Sequence, residues 1–289
     1  MSYGFFWHLR KEKVPAESLS LLTFLSGGGV LNLLLVILLF SGIALALFYE
    51  PSNPLSSVRL VVRVRPYGWF FWGMHYVASQ ILVVLLFWHM LFNGILRVSR
   101  YDVVRSWSYG VVLFILLYFE AICGYILRGD ERAQLALTVL KSVSGVPFTT
   151  RILYVMHTTF LPLAMIVLFF AHLYSVRKSR LIRCSRMIPA TKLFHAEVSC
   201  SFIIVALLNL FLSGASIDEL FFSSGEAVWF LRGFQRLFVL FGDKRLVLLV
   251  VSAALGFLFV FPKWGRRAPW LSSMFLVGLI LAFFSLCFY

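Results

Sequence analysis

Charge is scarce in this chain, and acid scarcest. Of 289 residues only 13% are Asp, Glu, Lys or Arg, and 12 are acidic. Soluble domains carry roughly 25% charge and about 45–50% apolar residues. Here 61% are hydrophobic and the mean hydropathy is +0.92. One soluble core cannot hide that much apolar surface, which excludes a cytosolic enzyme or a disordered chain and points to a polytopic membrane protein. Cysteine is scarce too. Cys123, Cys184, Cys200 and Cys287 fall in neither CxxC nor CxxCH spacing, so thiol metal sites, c-type haem attachment and a secreted disulfide scaffold are all excluded. Residues 1–26 lack the apolar core and cleavage site of a signal peptide. No internal repeat or low-complexity stretch is present.

Long apolar runs, by contrast, are plentiful. Seven segments can cross a hydrocarbon layer of roughly 30 Å, which needs about 20 residues: 27–49, 69–96, 107–127, 152–176, 198–217, 246–262 and 269–289. Residues 221–241 are also apolar, but Glu226, Arg232 and Arg236 interrupt them, so a re-entrant or surface helix is expected there instead of an eighth span. Residues 133–146 read as a short amphipathic helix on one membrane surface. The net charge of +14 would suggest nucleic acid in a soluble protein. In a membrane protein it reports orientation. Arg10, Lys11 and Lys13, the group Arg97, Arg100 and Arg105, the six basic residues from Arg177 to Lys192, and Lys263, Arg266 and Arg267 all fall on the N-terminal side. They are more than half of the 26 basic residues. The positive-inside rule then puts the N-terminus on the cytoplasmic or matrix side, with no nucleic-acid partner.

Four of the six histidines lie inside two spans. His75 and His89 are 14 residues apart in the second span, and His157 and His172 are 15 apart in the fourth. At 1.5 Å per residue each pair is separated by about 21–22 Å along its helix. Fourteen residues is close to four turns, so His75 and His89 share a face. Fifteen is about 60° further round, and Pro162, between His157 and His172, is expected to bend the helix enough to correct it. Polar groups at membrane depth are costly and usually functional. A single histidine there could simply be a hydrogen-bonded packing residue, but four at matched depth on two parallel-running spans make two stacked bis-imidazole sites. Zinc prefers more ligands, with carboxylate or thiolate among them. Haem, with two axial imidazoles, fits.

The glycines repeat the period. Gly28 and Gly42 are 14 apart in the first span, and Gly110 and Gly124 are 14 apart in the third. Small-residue helix packing explains glycines in membranes. Their match to the histidine spacing suggests instead a flat macrocycle pressed on each helix. Gly42 and Gly124 would flank His75 and His157, while Gly28 and Gly110 would flank His89 and His172.

This lattice resembles the cytochrome b subunit of Rieske/cytochrome b (quinol:cytochrome c reductase) complexes. Lys13-Val14-Pro15 before Gly27-Gly28-Gly29 is similar to the family's entry into its first helix. Pro66-Tyr67-Gly68-Trp69 and Met74-His75 resemble its second, and Arg105-Ser106-Trp107 and Gly124-Tyr125-Ile126-Leu127 bound its third. The 15-residue spacing from His157 to His172 is like that of chloroplast-type and several bacterial members. Gly233-Phe234-Gln235-Arg236 and a helix ending at Pro262 resemble the second half, more weakly.

The resemblance implies an all-α polytopic membrane protein of about seven transmembrane helices, the first four forming a dihaem four-helix bundle. It divides the chain into an inner-side segment 1–26, the bundle 27–189 and a C-terminal three-helix region 190–289. Two haem b groups are implied, one held by His75 and His157 at the outer side and one by His89 and His172 at the inner side. Quinol oxidised near the outer face and quinone reduced near the inner face are the implied substrates. Glu226 is the implied outer-site proton acceptor, and Arg177 and His195, with Glu197 and Ser201, the inner quinone-site residues. The implied partners are a Rieske iron–sulfur protein and a c-type cytochrome on other chains, membrane lipid and a second copy of the chain. The implied place is a bacterial plasma membrane or a mitochondrial inner membrane.

Two segments depart from the family. Arg128-Gly129-Asp130 stands where it has Pro-Trp-Gly, and Gly225-Glu226-Ala227-Val228 where it has Pro-Glu-Trp-Tyr. Only the acid survives in the second, where Glu226 is either a buried proton acceptor or a solvated loop acid. Trp72 and Phe92 occupy positions where the family carries haem-propionate arginines. Arg59, Arg63, Arg65 and Arg97 are candidate substitutes or ordinary interface arginines. Arg177 and His195 equally suit a solvated basic loop. These departures motivate an alternative, a dihaem membrane anchor passing electrons between quinone and a different partner. A proton channel or transporter built on the same histidines is a third reading, although paired broken helices are missing. Glu120, the one acid inside the first four spans, is either a proton relay or an arginine's partner.

Overall fold

The structure, a computed structural model, describes residues 28–97, 104–178 and 229–288, with short pieces at 13–14, 188–189, 203 and 205–206. Six helices among the described residues are long and apolar enough to cross a membrane. The expected span 198–217, residues 98–103 and the basic stretch from 179 onward lie essentially outside them.

Helix α1 (Gly28–Ala46) is apolar all round but buries one stripe, Val30, Leu34, Ile37 and Ser41, at the three-and-four spacing of a packed face. Phe40 and Ile43 stay exposed, as residues facing lipid would. Helix α2 (Pro54–Val64) was not anticipated from the sequence. Pro54 opens it at a position where its missing N–H costs nothing, and Val58, Val61 and Val62 face inward with Arg59 and Arg63 outward. Only three turns long, it lies between the spans. Helix α3 (Gly68–Arg97) carries His75 and His89, and α4 (Val104–Ile126) carries Gly110, Glu120 and Gly124.

Beyond α4, the Asp130 carboxylate accepts the Ala133 N–H at 2.8 Å and starts α5 (Glu131–Ser144), which Gly145 ends at φ +70°. The surface helix expected at 133–146 is therefore present with shifted ends. Arg128 pairs with Asp130, so the rewritten Arg-Gly-Asp segment is itself the cap of a helix.

The fourth span, α6, runs through Thr150–Val155, a π-turn at Met156–Phe160, and Leu161–Lys178. The π-turn corrects the expectation of a simple proline bend. Pro162 has no N–H to give the preceding turn, and the helix answers by widening over Met156–Phe160, where the Leu161 N–H bonds the Met156 carbonyl five residues back. One residue is absorbed, so fifteen residues follow the path of fourteen.

In the second half α7 (Trp229–Phe241) is too short to span, in keeping with the surface or re-entrant helix expected over 221–241. Helix α8 (Lys244–Arg267) continues past Pro262, where the sequence suggested an end. Membrane helices tolerate an interior proline when neighbours satisfy the freed backbone groups. Helix α9 (Pro269–Phe288) completes the described fold.

Helix α1 packs along α3 and α4 along α6, with α1 touching the π-turn, which closes the first four spans into a bundle. The second half docks on this bundle through α8 against α4 and α9 against α3, over a core of Phe87, Trp107, Phe230, Phe261 and Leu276. In lipid, apolar burial gives little preference for helix over tail, so close packing and interhelical hydrogen bonds carry specificity, on the order of 0.6 kcal/mol per bond. Two such bonds fix this interface: Trp107 Nε1–H donates to the Leu258 carbonyl at 2.7 Å, and the Tyr118 hydroxyl donates to that of Phe230.

Candidate functional site

Helices α3 and α6 bring His75 and His157 together. Their ring centroids are 6.1 Å apart and their planes cross at 78°. Both line an apolar cavity of about 300 Å³, together with Gly42, Gly124, Glu120 and Arg128. Imidazole makes metal bonds of about 2.0–2.1 Å, as it does to zinc. Two rings on opposite sides of one metal would then have centroids roughly 6 Å apart. The pair fits a bis-imidazole iron, and the apolar cavity suits a macrocycle. No group of three or more His, Cys, Asp or Glu suited to a bare metal ion occurs among the described residues.

Each of three imidazoles leans on the backbone of a neighbouring helix. His75 Nδ1 lies 3.2 Å from the Leu38 carbonyl, His157 Nδ1 3.2 Å from that of Glu120, and His172 Nδ1 2.9 Å from that of Ser106. A ring whose Nδ1–H is donated this way keeps Nε2 free to ligate a metal, and the bond fixes its orientation.

The glycines explain how the rings reach those carbonyls. Each accepting residue stands four before a glycine: Leu38 before Gly42, Glu120 before Gly124, Ser106 before Gly110. A helical side chain covers the turn N-terminal to its own Cα, so any side chain at these positions would shield the carbonyl the histidine needs. A Cβ at Gly124 would meet His157 Cε1 at 2.8 Å, one at Gly42 would meet His75 Cε1 at 3.2 Å, and one at Gly110 would meet His172 Cε1 at 3.3 Å. The glycines therefore let the histidine rings seat against those carbonyls. Gly28 differs: a Cβ there meets nothing within 4 Å, and the turn before it lies outside the described residues.

His89 has a local partner: Asn93, one turn on, donates to the His89 carbonyl at 2.7 Å and lies 3.3 Å from its Nδ1. Among the described residues the Glu120 carboxyl meets His157, with Oε1 3.1 Å from Nδ1. On the opposite ring the Ser41 hydroxyl lies 3.1 Å from His75 Nδ1.

Arg128 lines the cavity and stacks over Tyr125, 5.2 Å from the ring centroid. The sequence reading treated it only as a departure and looked for cavity arginines at Arg59, Arg63, Arg65 and Arg97. Arg65 instead sits over Phe48 at 4.9 Å, and the Arg97 side chain lies outside the described residues. Tyr49 and Tyr154 stack at 5.3 Å beside the cavity, and the Tyr49 hydroxyl donates to the Leu127 carbonyl at 2.7 Å. A rule placing acceptors four before each glycine would have found Leu38, Ser106 and Glu120. Asn93 and Ser41 carry a weaker signal, being polar residues in apolar spans. The candidates Glu226 and His195, with Glu197 and Ser201, and the side chain of Arg177, lie outside the described residues.

Residues 13–153 match the family model described as Cytochrome b/b6/petB. Curated relatives called cytochrome b include one from Schizosaccharomyces japonicus, 33% identical over 131 residues, which are 43% of this chain and 33% of that protein. Another from Yarrowia lipolytica is 32% identical over 131 residues with the same coverage, and one from Caenorhabditis elegans is 26% identical over 121 residues, 41% of this chain and 32% of its own. The chain thus matches about a third of the length of these relatives. A solved chain described as "Hyperthermophilic respiratory Complex III" superposes with a TM-score of 0.73 at 18% identity, covering 96% of this chain and 90% of the other, which establishes a shared fold.

Proposed function

We propose that the chain, whose residues 13–153 match the Cytochrome b/b6/petB family model, is a divergent cytochrome b that binds two haem b groups in series and moves electrons across a membrane, between an outer quinol site and an inner quinone site. It would do so as a subunit of a respiratory Rieske/cytochrome b complex. The observation that carries this reading is the His75–His157 pair, 6.1 Å apart across a glycine-walled cavity.

Haem, when bound, supplies one-electron redox chemistry. The rest is the protein's work. His75 and His157 would offer Nε2 to the outer group, with their Nδ1 atoms held by the Leu38 and Glu120 carbonyls. His89 and His172 would hold the inner group, His172 braced on Ser106. Gly42, Gly110 and Gly124 let the rings seat, and apolar neighbours such as Leu38, Val61 and Leu117 exclude water from the outer cavity. Arg128 places a guanidinium in the cavity wall, suited to a haem propionate although it is also paired to Asp130. Carrying one charge through a low-dielectric layer against 100 mV is worth about 2.3 kcal/mol, so two ligand pairs at different depths allow charge separation to be stored as membrane potential.

In this reading Glu226 accepts a proton at the outer site, and Arg177 and His195 contact quinone at the inner one, as the family resemblance implies. Residues 27–189 form the dihaem four-helix bundle and 190–289 a C-terminal three-helix region, following the inner-side segment 1–26. A Rieske iron–sulfur protein, a c-type cytochrome and a second copy of the chain are the proposed partners, in a bacterial plasma membrane or a mitochondrial inner membrane with the N-terminus on the negative side.

A second reading is a dihaem anchor that serves a different electron partner. It is favoured by the Arg128–Asp130 pair, because the segment that departs from the family is a built helix cap next to the cavity. Redox-titrated visible spectra of the purified chain, with a pyridine haemochrome assay, test the shared core: two b-type transitions are expected, and a chain without haem overturns both readings. Glu226→Gln separates them. Lost quinol oxidation with haem retained supports the first, and unchanged oxidation supports the second.

A further inference from the structure

The two ligands of the outer pair have unequal second partners. On α1, Ser41 Oγ donates to the Ile37 carbonyl at 2.7 Å, and its lone pair is left to face His75 Nδ1 at 3.1 Å. His75 thus meets a neutral hydroxyl beside the Leu38 carbonyl. On α4, Glu120 meets His157 twice, through its carbonyl at 3.2 Å and through carboxyl Oε1 at 3.1 Å. The carbonyl is hydrogen-bonded to Nδ1, and the carboxyl of the same residue stands within ion-pair distance of that nitrogen. His172, on the same helix α6, is braced by the Ser106 carbonyl at 2.9 Å.

Glu120 is well placed to act on the ring electronically. Its side chain is 15% exposed and lines the cavity. Its second oxygen, Oε2, is buried with no hydrogen-bond partner among the described residues. Arg128, which shares the cavity, is engaged with Asp130. The principal interaction of the carboxyl is therefore with His157. A carboxyl oxygen accepting the distal N–H of a metal-bound imidazole makes that ligand a stronger electron donor and holds its tautomer. Stronger donation favours ferric over ferrous iron, and hydrogen bonding around the ligands is one of the levers a protein has on haem potential.

Building on the dihaem reading, we propose that Glu120 is a positioning residue for His157 that sets the outer haem apart from the inner one, holding the outer midpoint potential lower than a carbonyl-braced imidazole alone would. Ser41 provides only the neutral counterpart on the other face.

The test is a redox titration of membranes or purified full chain carrying Glu120→Gln and Glu120→Ala, followed by visible spectra of both b haems. Glu120→Ala should raise the outer haem's potential so that the ferrous-to-ferric ratio at a fixed potential rises about tenfold, the lower end of such outer-shell effects, which is about 59 mV for one electron. The inner haem should not move. Glu120→Gln keeps the shape and a carbonyl acceptor and should give a smaller shift in the same direction. Because it is isosteric, it also covers the case in which the Ala variant fails to assemble. Low-spin EPR g-values of the outer haem provide a second readout, which should change in both variants. Unchanged potentials and g-values, or equal shifts in both haems, overturn this inference and leave the dihaem reading intact. A wild-type chain without haem overturns both.

Discussion

His157 and His172 are fifteen residues apart on α6, yet they dock on α4 against Gly124 and Gly110, which are fourteen apart. The π-turn at Met156–Phe160 accounts for the difference. It holds His157 itself, so the irregular backbone lies where that imidazole is aimed, and π-turns concentrate at functional positions.

Removing one residue from that turn should therefore be tolerated. Deleting Thr159, which is exposed, converts the spacing to fourteen and lets α6 run as regular α-helix. Retention of both haems is expected. Deleting Met165, in the regular part of α6, also gives fourteen but leaves the wide turn upstream, so His157 and His172 fall out of register by about 100°. Haem content of the two variants, assayed side by side, checks the claim, and equal haem loss would refute it.

The glycines should not be equivalent. Gly124→Ala places a methyl 2.8 Å from the clamped His157 ring, and overpacking of that kind costs about 1–3 kcal/mol. Gly28→Ala meets open space and should stay within about 0.5 kcal/mol of the parent. Thermal unfolding in detergent, together with haem retention on dilution, measures both. Comparable losses at the two positions would contradict the seating role.

The proposed dihaem arrangement predicts that each histidine replacement acts on one haem at a time. His75→Ala or His157→Ala should halve the haem content and leave the inner b-type transition, because the two pairs are about 21 Å apart along their helices. His89→Ala or His172→Ala should do the converse. Pyridine haemochrome stoichiometry with redox-resolved spectra reads this out, and loss of both transitions in every variant would argue for a single coupled site.

The rewritten segment after α4 should contribute stability. Asp130→Ala removes the N-cap of α5 and the partner of Arg128, and cap losses of this kind cost about 0.5–2 kcal/mol. A lowered unfolding temperature is expected, with Asp130→Asn recovering most of it, since asparagine caps as well as aspartate.

How far the sequence reached follows from the kind of signal each feature carries. Apolar runs and buried charge are local, and they exposed the spans around His75, His89, His157 and His172 directly. Periods of fourteen on two elements tied Gly42, Gly110 and Gly124 to those histidines. Helix α2 escaped because three turns of mixed valine and arginine resemble an interfacial loop. The fifteen-residue spacing was attributed to a proline bend, because a π-turn has no composition of its own and shows itself only in which carbonyl the Leu161 N–H reaches.

The sequence by itself determined the chemistry: an apolar, basic chain, poor in acid, with four imidazoles at membrane depth. Those are properties of residues and their spacing along single helices. Only the tertiary structure decided which ring meets which backbone. That Gly124 opens the Glu120 carbonyl to His157, that the Glu120 carboxyl joins it, and that Arg128 rather than Arg65 lines the cavity depend on how two helices are rotated against each other. Rotation is set by the sum of many side-chain contacts across α1, α3, α4 and α6, and no single segment encodes it.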